Sequence, residues 1–62
     1  MIYARKLFYD AKEYDDFKAK ARTLKMAYNA AVGISDYVLV EEIEKYAYDC
    51  GIDLDKVSGY DF

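Results

Sequence analysis

The 62-residue chain contains no histidine, no proline and no tryptophan, and its only cysteine is Cys50. Without histidine, neither a serine–histidine–aspartate triad nor a histidine-ligated metal site can form. No glycine-rich phosphate loop is present, and so short a chain has little room for a deep catalytic pocket. We therefore predict that the protein is not an enzyme and that it uses no metal and no cofactor.

A lone cysteine cannot form an internal disulfide, which favours an intracellular protein over a secreted one. Charges at Arg5 and Lys6 interrupt the apolar run that a signal peptide needs near the N-terminus. No stretch approaches the length of a transmembrane helix. We expect a single cytoplasmic domain, spanning residues 1–62, with no membrane partner.

Positive charge is scarce in the second half of the chain. The net charge is −3, but residues 1–28 hold seven Lys/Arg and four Asp/Glu, whereas residues 29–62 hold two and eight. The halves therefore carry +3 and −6, and they can attract each other within one molecule or between two. An overall acidic balance disfavours a general nucleic-acid binder.

Helix ends are indicated by two short segments, Gly-Ile-Ser at 33–35 and Gly-Ile-Asp at 51–53. In each, the glycine suits a left-handed helix end, and the Ser or Asp suits the cap of a following helix. Asp10 precedes Glu13 by three residues, as in a capping box at the start of a helix. These signals predict three helices, near 11–32, 36–50 and 54–58.

Residues 2–8 are compatible with two structures. Their alternation and aromatic content favour an extended arm or a short strand, whereas Tyr3 and Leu7 would continue a helical stripe that includes Tyr14. We predict the extended arm or strand. The expected fold is mainly α, a helical hairpin (11–32 and 36–50) with a short third helix (54–58) and the N-terminal arm.

The hairpin is predicted from two apolar stripes with helical spacing. The first helix carries Tyr14, Phe17, Ala21, Leu24, Tyr28 and Ala31. The second helix carries Leu39, Val40, Ile43, Tyr46, Ala47 and Cys50. Packing of these stripes across the short turn at 32–35 would bury both.

Tyrosine is abundant, with eight residues, and two of them lie outside the predicted core on a regular helix. In the second helix, spacings of 4-3-4 place four residues on one face, opposite the apolar stripe: Tyr37, Glu41, Glu44 and Tyr48. Such a face is often only solvated surface. Tyrosine rings beside glutamates also suit the basic surface of a protein partner, and we predict this use.

Two other stripes on the first helix have possible functions. A small, mildly apolar seam is a candidate for the N-terminal arm or for another subunit: Ala19, Thr23, Met26 and Ala30. A basic stripe is a candidate for phosphate contacts, although a solubilising face explains it more simply: Lys18, Arg22 and Lys25.

Two binding motifs fail on inspection. Residues 28–43 have the turn of a helix-turn-helix motif, but the predicted recognition helix carries five acidic residues and one base, which disfavours DNA binding. Asp53-Leu54-Asp55 opens like a calcium loop, but Val57 and Ser58 replace a ligand and the turn glycine. Asp53 is better explained as a helix cap.

In size and composition, the chain is similar to small acidic inhibitors encoded by phages and mobile elements, including anti-CRISPR proteins. That resemblance implies an inhibitor or adaptor that binds a nucleic-acid-handling protein. Our first hypothesis is therefore a non-enzymatic protein-binding module for a basic partner surface. The alternatives are a structural or regulatory homo-oligomer and, third, a weak nucleic-acid binder that uses the basic stripe.

Overall fold

The structure is a computed structural model and describes residues 3–57. They form three α-helices in the order α1 (Tyr3–Glu13), α2 (Phe17–Gly33) and α3 (Tyr37–Cys50). α1 and α3 each pack against α2, and the described part of the chain contains no strand. The prediction of a mainly α fold with a helical hairpin, formed by α2 and α3, is confirmed.

The N-terminal arm was predicted wrongly, because residues 3–8 belong to a helix. α1 buries Ala4, Phe8 and Ala11, which recur at spacings of four and three along one face. These residues join the core with α2, so packing stabilises a helix that its own sequence only partly favours. Residue 2 lies outside the described part.

The first helix of the prediction is in fact two helices with a corner between them. α1 runs through Asp10, which forms an ion pair with Lys6 at 3.8 Å instead of capping a helix. The N-cap belongs to Asp16, whose Oδ2 accepts a hydrogen bond from the N–H of Ala19 at 2.8 Å. The proposed capping box at Asp10 is therefore wrong, and the true start of α2 lies at Phe17.

The end of α2 also differs from its prediction. The helix continues through Gly33, and its last carbonyls accept from Ser35 N–H (to Val32, 3.0 Å) and Asp36 N–H (to Ala31, 2.9 Å). This is a Schellman motif whose left-handed residue is Ser35, with φ 58°. The left-handed residue thus lies two positions after Gly33, where the sequence predicts it. As a result, the N–H of Asp36 closes α2 and its side chain caps α3.

The end of α3 matches its prediction. Gly51 is left-handed, with φ 75°, and its N–H donates to the carbonyl of Tyr48 at 3.1 Å. The N–H of Ile52 reaches back to Ala47 O at 2.8 Å, which completes a second Schellman motif.

The expected number of helices is right, but the third helix is α1 and not residues 54–58. Residues 54–57 form a single turn, in which Lys56 N–H donates to Asp53 O at 3.0 Å and Val57 N–H to Leu54 O at 3.4 Å. One turn is too short to offset the cost of helix nucleation. Residue 58 lies outside the described part.

The core is built from small and aliphatic side chains together with one phenylalanine. The largest fully buried side chains are Phe8, Leu24, Leu39 and Ile43. The predicted stripe of α3 is confirmed, since Leu39, Val40, Ile43 and Ala47 are buried and Tyr46 and Cys50 pack against them.

The stripe predicted for the first helix holds only in its central and C-terminal part. Ala21, Leu24 and Ala31 are buried, and Tyr28 packs against the core. Tyr14 and Phe17 are 45% and 56% exposed, because they lie at the corner between α1 and α2 and not on a continuous helix. The aromatic ring buried in the core is that of Phe8, whereas the sequence predicts that Tyr14 and Phe17 are buried there.

Within residues 3–57, no helix is both long enough and apolar enough to cross a membrane.

Replacement of Phe8 and of Phe17, one at a time, should separate the packing of α1 from surface effects. Phe8→Ala removes a side chain that is 2% exposed and should cost about 3–5 kcal/mol of unfolding free energy. Phe17→Ala, at 56% exposure, should cost about 0.5 kcal/mol or less. Urea denaturation followed by circular dichroism measures both. Equal losses would contradict a core centred on Phe8, and Phe8→Leu provides a milder variant if Phe8→Ala does not fold.

Alanine at the two helix-end glycines should have opposite effects. A Cβ at Gly33 meets no atom within 4 Å and the backbone there is helical, so Gly33→Ala should stabilise the protein by roughly 0.5 kcal/mol. Gly51→Ala forces alanine into a left-handed conformation and should cost about 1–2 kcal/mol. Thermal unfolding of the two variants checks the signs. A loss at Gly33 would mean that α2 ends there after all.

Candidate functional site

The tyrosine–glutamate face predicted on α3 lies at the surface. Tyr37 is 61% exposed and Tyr48 is 84% exposed, and Glu41 and Glu44 between them are also exposed. The opposite side of α3 buries Ile43 against the core. The stripe is therefore a continuous outward face of the helix, as its spacing predicts.

One end of this face opens into a groove of about 480 Å³. The groove lies between α2, the C-terminal end of α3 and the segment that follows it. Its lining is Tyr28, Glu44, Ala47, Tyr48, Gly51, Ile52, Asp53, Leu54 and Asp55.

The groove exists because the chain reverses direction after α3. Gly51 supplies the left-handed turn, and the bond from Ile52 N–H to Ala47 O holds the chain against the last turn of α3. Ile52 and Leu54 are then buried, at 6% and 9% exposure. Their burial fixes the segment 52–55 as one wall of the groove.

Three carboxylates line the groove, and they come from two parts of the chain. Glu44 lies on α3, and Asp53 and Asp55 follow it on the reversed segment. Within residues 3–57, none of the three forms a salt bridge, and no Lys or Arg lines the groove. One oxygen of Asp53 accepts from the N–H of Asp55 at 3.0 Å, which stabilises the turn. The groove therefore presents negative charge over an apolar floor.

Two other acidic groups near α3, Glu42 and Asp36, have partners inside the protein. Glu42 faces α1, where its Oε1 lies 3.8 Å from Nη1 of Arg5. The Oδ1 of Asp36 accepts from the N–H of Leu39 at 3.2 Å and caps the helix. Glu41 and Asp49 are exposed on α3 outside the groove and, within residues 3–57, form no salt bridge, so the groove is one of several places where α3 presents acids to solvent.

The groove divides the predicted face. Glu44 and Tyr48 line it, whereas Tyr37 and Glu41 lie nearer the start of α3 and do not. The sequence analysis missed the remaining walls. The sequence predicts Tyr28 to lie in the core, Asp53 to cap a third helix and Leu54 and Asp55 to begin it. The left-handed glycine was the one available signal that the chain would turn back here.

The other two predicted stripes on α2 are less open than a helical wheel suggests. All four seam residues, Ala19, Thr23, Met26 and Ala30, are half-buried. Ala30 also packs against the core of the monomer. Nothing in the structure tests a subunit contact through this seam.

The basic stripe is not uniform. Lys18 and Arg22 are exposed, but Lys25 is half-buried, and its Nζ lies 5.2 Å from the centre of the Tyr28 ring. One of the three cations is thus engaged with an aromatic ring at the edge of the groove. A phosphate contact by this stripe stays a prediction.

A separate cluster of lysines and rings joins the three helices. Lys12 Nζ lies 4.3 Å from the ring centre of Phe8, and the Phe8 and Tyr46 rings meet edge to face at 5.7 Å. Lys20 Nζ donates to the Tyr46 hydroxyl at 2.9 Å and to the carbonyl of Lys12 at 3.3 Å. Its hydrogen bond to Tyr46 raises the pKa of Lys20, against a smaller opposing effect of desolvation. The lysines of this cluster are structural.

Within residues 3–57, no group of three or more His, Cys, Asp or Glu side chains is arranged to hold a metal ion. Comparison with protein families, with curated proteins and with solved structures finds no match to this chain.

The hydrogen bond between Lys20 and Tyr46 should make a contribution to the free energy of unfolding that is lost as the pH rises into the alkaline range. A raised pKa in the folded state favours folding below the unfolded pKa of about 10.5, and this contribution is lost as pH rises through the folded value. Tyr46→Phe should therefore lower stability at pH 8, and its difference from wild type should shrink above about pH 10.5. Urea titrations at several pH values measure this. Tyr48→Phe is the matched control, since its ring is 84% exposed; the same shrinkage in that control would contradict the assignment.

Proposed function

We propose that the protein is a non-enzymatic protein-binding module. It acts as a small acidic inhibitor or adaptor on a partner with a basic surface. The observation that carries the proposal is the groove at the end of α3, where two tyrosines and three carboxylates meet over an apolar floor. Aromatic rings supply contact area with little loss of side-chain entropy, and carboxylates select a partner of opposite charge.

A partner that handles nucleic acid fits this charge pattern best. Proteins that bind phosphate backbones carry clusters of Lys and Arg, and an acidic surface competes for those clusters. Residues 29–62 hold eight acids against two bases, and three of these acids, Glu44, Asp53 and Asp55, line the groove. An inhibitor of the phage or mobile-element type would use such a surface. We place its action in the cytoplasm, where a single unpaired cysteine is the usual state.

Charge reversal on the face tests the proposal. Glu41→Lys together with Glu44→Lys should weaken binding of the partner at least tenfold, because two lysines would then stand where the carboxylates were and would repel a basic surface. The partner is first captured on the wild-type protein from lysate of the native host and identified by mass spectrometry. Its affinity for each variant is then measured by calorimetry, and circular dichroism confirms that the helices persist.

A matched control removes the general effect of charge. Glu13→Lys together with Asp15→Lys changes the net charge by the same four units, but at the exposed corner between α1 and α2. This control should bind almost as well as wild type. Equal weakening in both double variants would show that only net charge matters, and unchanged binding in the face variant would exclude this face as the interface.

A further inference from the structure

We propose that the groove binds an arginine side chain of the partner as an anchor. This inference rests on the proposed function and specifies the chemistry that the groove recognises. An apolar floor, two rings and three carboxylates meet in the groove, and they come from α2, α3 and the segment 51–55.

The floor of the groove suits the aliphatic part of a long basic side chain. Ala47, Ile52 and Leu54 line it with apolar groups, and each is about nine-tenths or more buried, so only a small apolar surface of each faces the groove. Arg and Lys lay their methylene groups along such surfaces while the charged end stays near water. A short acidic or polar side chain would leave this floor uncovered.

The two rings favour a cation. Tyr28 comes from α2 and Tyr48 from α3, and both line the groove. The ring of Tyr28 already attracts one cation of the same chain, since Lys25 Nζ lies 5.2 Å from its centre. The charge distribution of a tyrosine ring attracts both a guanidinium and an ammonium. A planar guanidinium can also stack on the ring, which an ammonium cannot do.

The carboxylates favour a donor with several N–H groups. Glu44 lies on the helix side of the groove, and Asp53 and Asp55 lie on the reversed segment. Arginine presents five N–H donors in a fixed plane and bonds carboxylates in pairs, whereas lysine offers a compact point charge. Carboxylates supplied by two different elements therefore match a forked donor better than a single ammonium.

The experiment uses short peptides and the isotope-labelled full chain. The probe is an acetylated, amidated Gly-Gly-Arg-Gly-Gly peptide, which is compared with the same peptide carrying lysine or citrulline, the neutral analogue of arginine. Amide chemical shifts of the protein are followed during titration at about 0.15 M salt, where exposed charges more than about 8 Å apart are largely screened. The arginine peptide should perturb residues 44, 48 and 51–55 and saturate in the millimolar range. The lysine peptide should bind several-fold more weakly, and the citrulline peptide should not bind.

The two halves of the α3 face provide matched variants. Tyr48→Ala and Glu44→Gln change groove residues and should each raise the peptide dissociation constant about fivefold or more. Tyr37→Ala and Glu41→Gln make the same chemical changes on the same helix, outside the groove lining, and should leave it within about twofold. Equal effects in both pairs, or shifts spread over every acidic residue, would overturn the assignment of the groove.

Other occupants give distinct results that also overturn the proposal. If the arginine peptide binds only after Tyr60 and Phe62 are both changed to alanine, the groove is occupied by residues 58–62 of the same chain. If the amide chemical shifts of the groove residues change with protein concentration in the absence of peptide, the occupant is a second copy of this chain.

Failure of the anchor is distinguishable from failure of the proposed function. If the arginine peptide does not bind, but the double variant at Glu41 and Glu44 still loses the protein partner, the anchor is wrong and the function stands. If the peptide binds the groove while that double variant keeps the partner, the groove recognises arginine but the proposed interface is wrong.

Discussion

Burial of Phe8 is the contact on which the rest of the structure depends. Its side chain is almost completely enclosed, it meets the ring of Tyr46 on α3 edge to face, and it lies under the ammonium of Lys12. A chain of this length buries only about 60% of the surface that its unfolded form exposes, so one large core residue is a substantial fraction of its stability. Among the residues of α1, only Phe8 contributes a large, fully buried side chain to the core that α1 shares with α2.

The groove depends on this core indirectly, through the position of α3. Once Ile43 and Ala47 are fixed against α2, the last turn of α3 offers a rigid carbonyl, Ala47 O, to the N–H of Ile52. The left-handed Gly51 then directs the following residues back toward Tyr28. A helix end with a defined Schellman motif is a firmer support for a binding surface than a free loop, because both the turn and the buried Ile52 hold it in place.

The sequence predicts the α2–α3 hairpin well, since Leu39, Ile43 and Ala47 follow a helical period and Gly51 ends the helix with a residue suited to that conformation. It predicts α1 poorly. Ala4, Phe8 and Ala11 form a narrow stripe, and it is stabilised as a helix by contact with α2, a tertiary contact that periodicity alone does not reveal.

The site was predicted in part, for a related reason. Periodicity along one helix identifies Glu44 and Tyr48, but it contains no information on which residues from other elements will lie beside them. Tyr28 and Asp55 enter the groove only because the chain reverses after Gly51 and returns toward α2. Ser35 shows the same limit: glycine is the usual left-handed residue, yet here the helix passes through Gly33 and the serine adopts the unfavourable angle, because Asp36 closes one helix and caps the next.

The abundance of tyrosine follows from how the helices pack. The interior positions of α2 are mostly alanine, which leaves the space between helices too narrow for many aromatic rings. Among residues 3–57, no tyrosine is fully buried; Tyr28 and Tyr46 are half-buried and the rest are exposed. Tyr46 is engaged with the lysines that join the three helices, so it serves the fold. Tyr28 packs against the core on one side and lines the groove on the other, whereas Tyr48 is exposed and also lines the groove, whose carboxylates form no salt bridge within the described residues. Two rings that the core does not fully bury and three carboxylates without a salt bridge thus meet at one place on the surface, and this coincidence argues for recognition and against a merely solvated face.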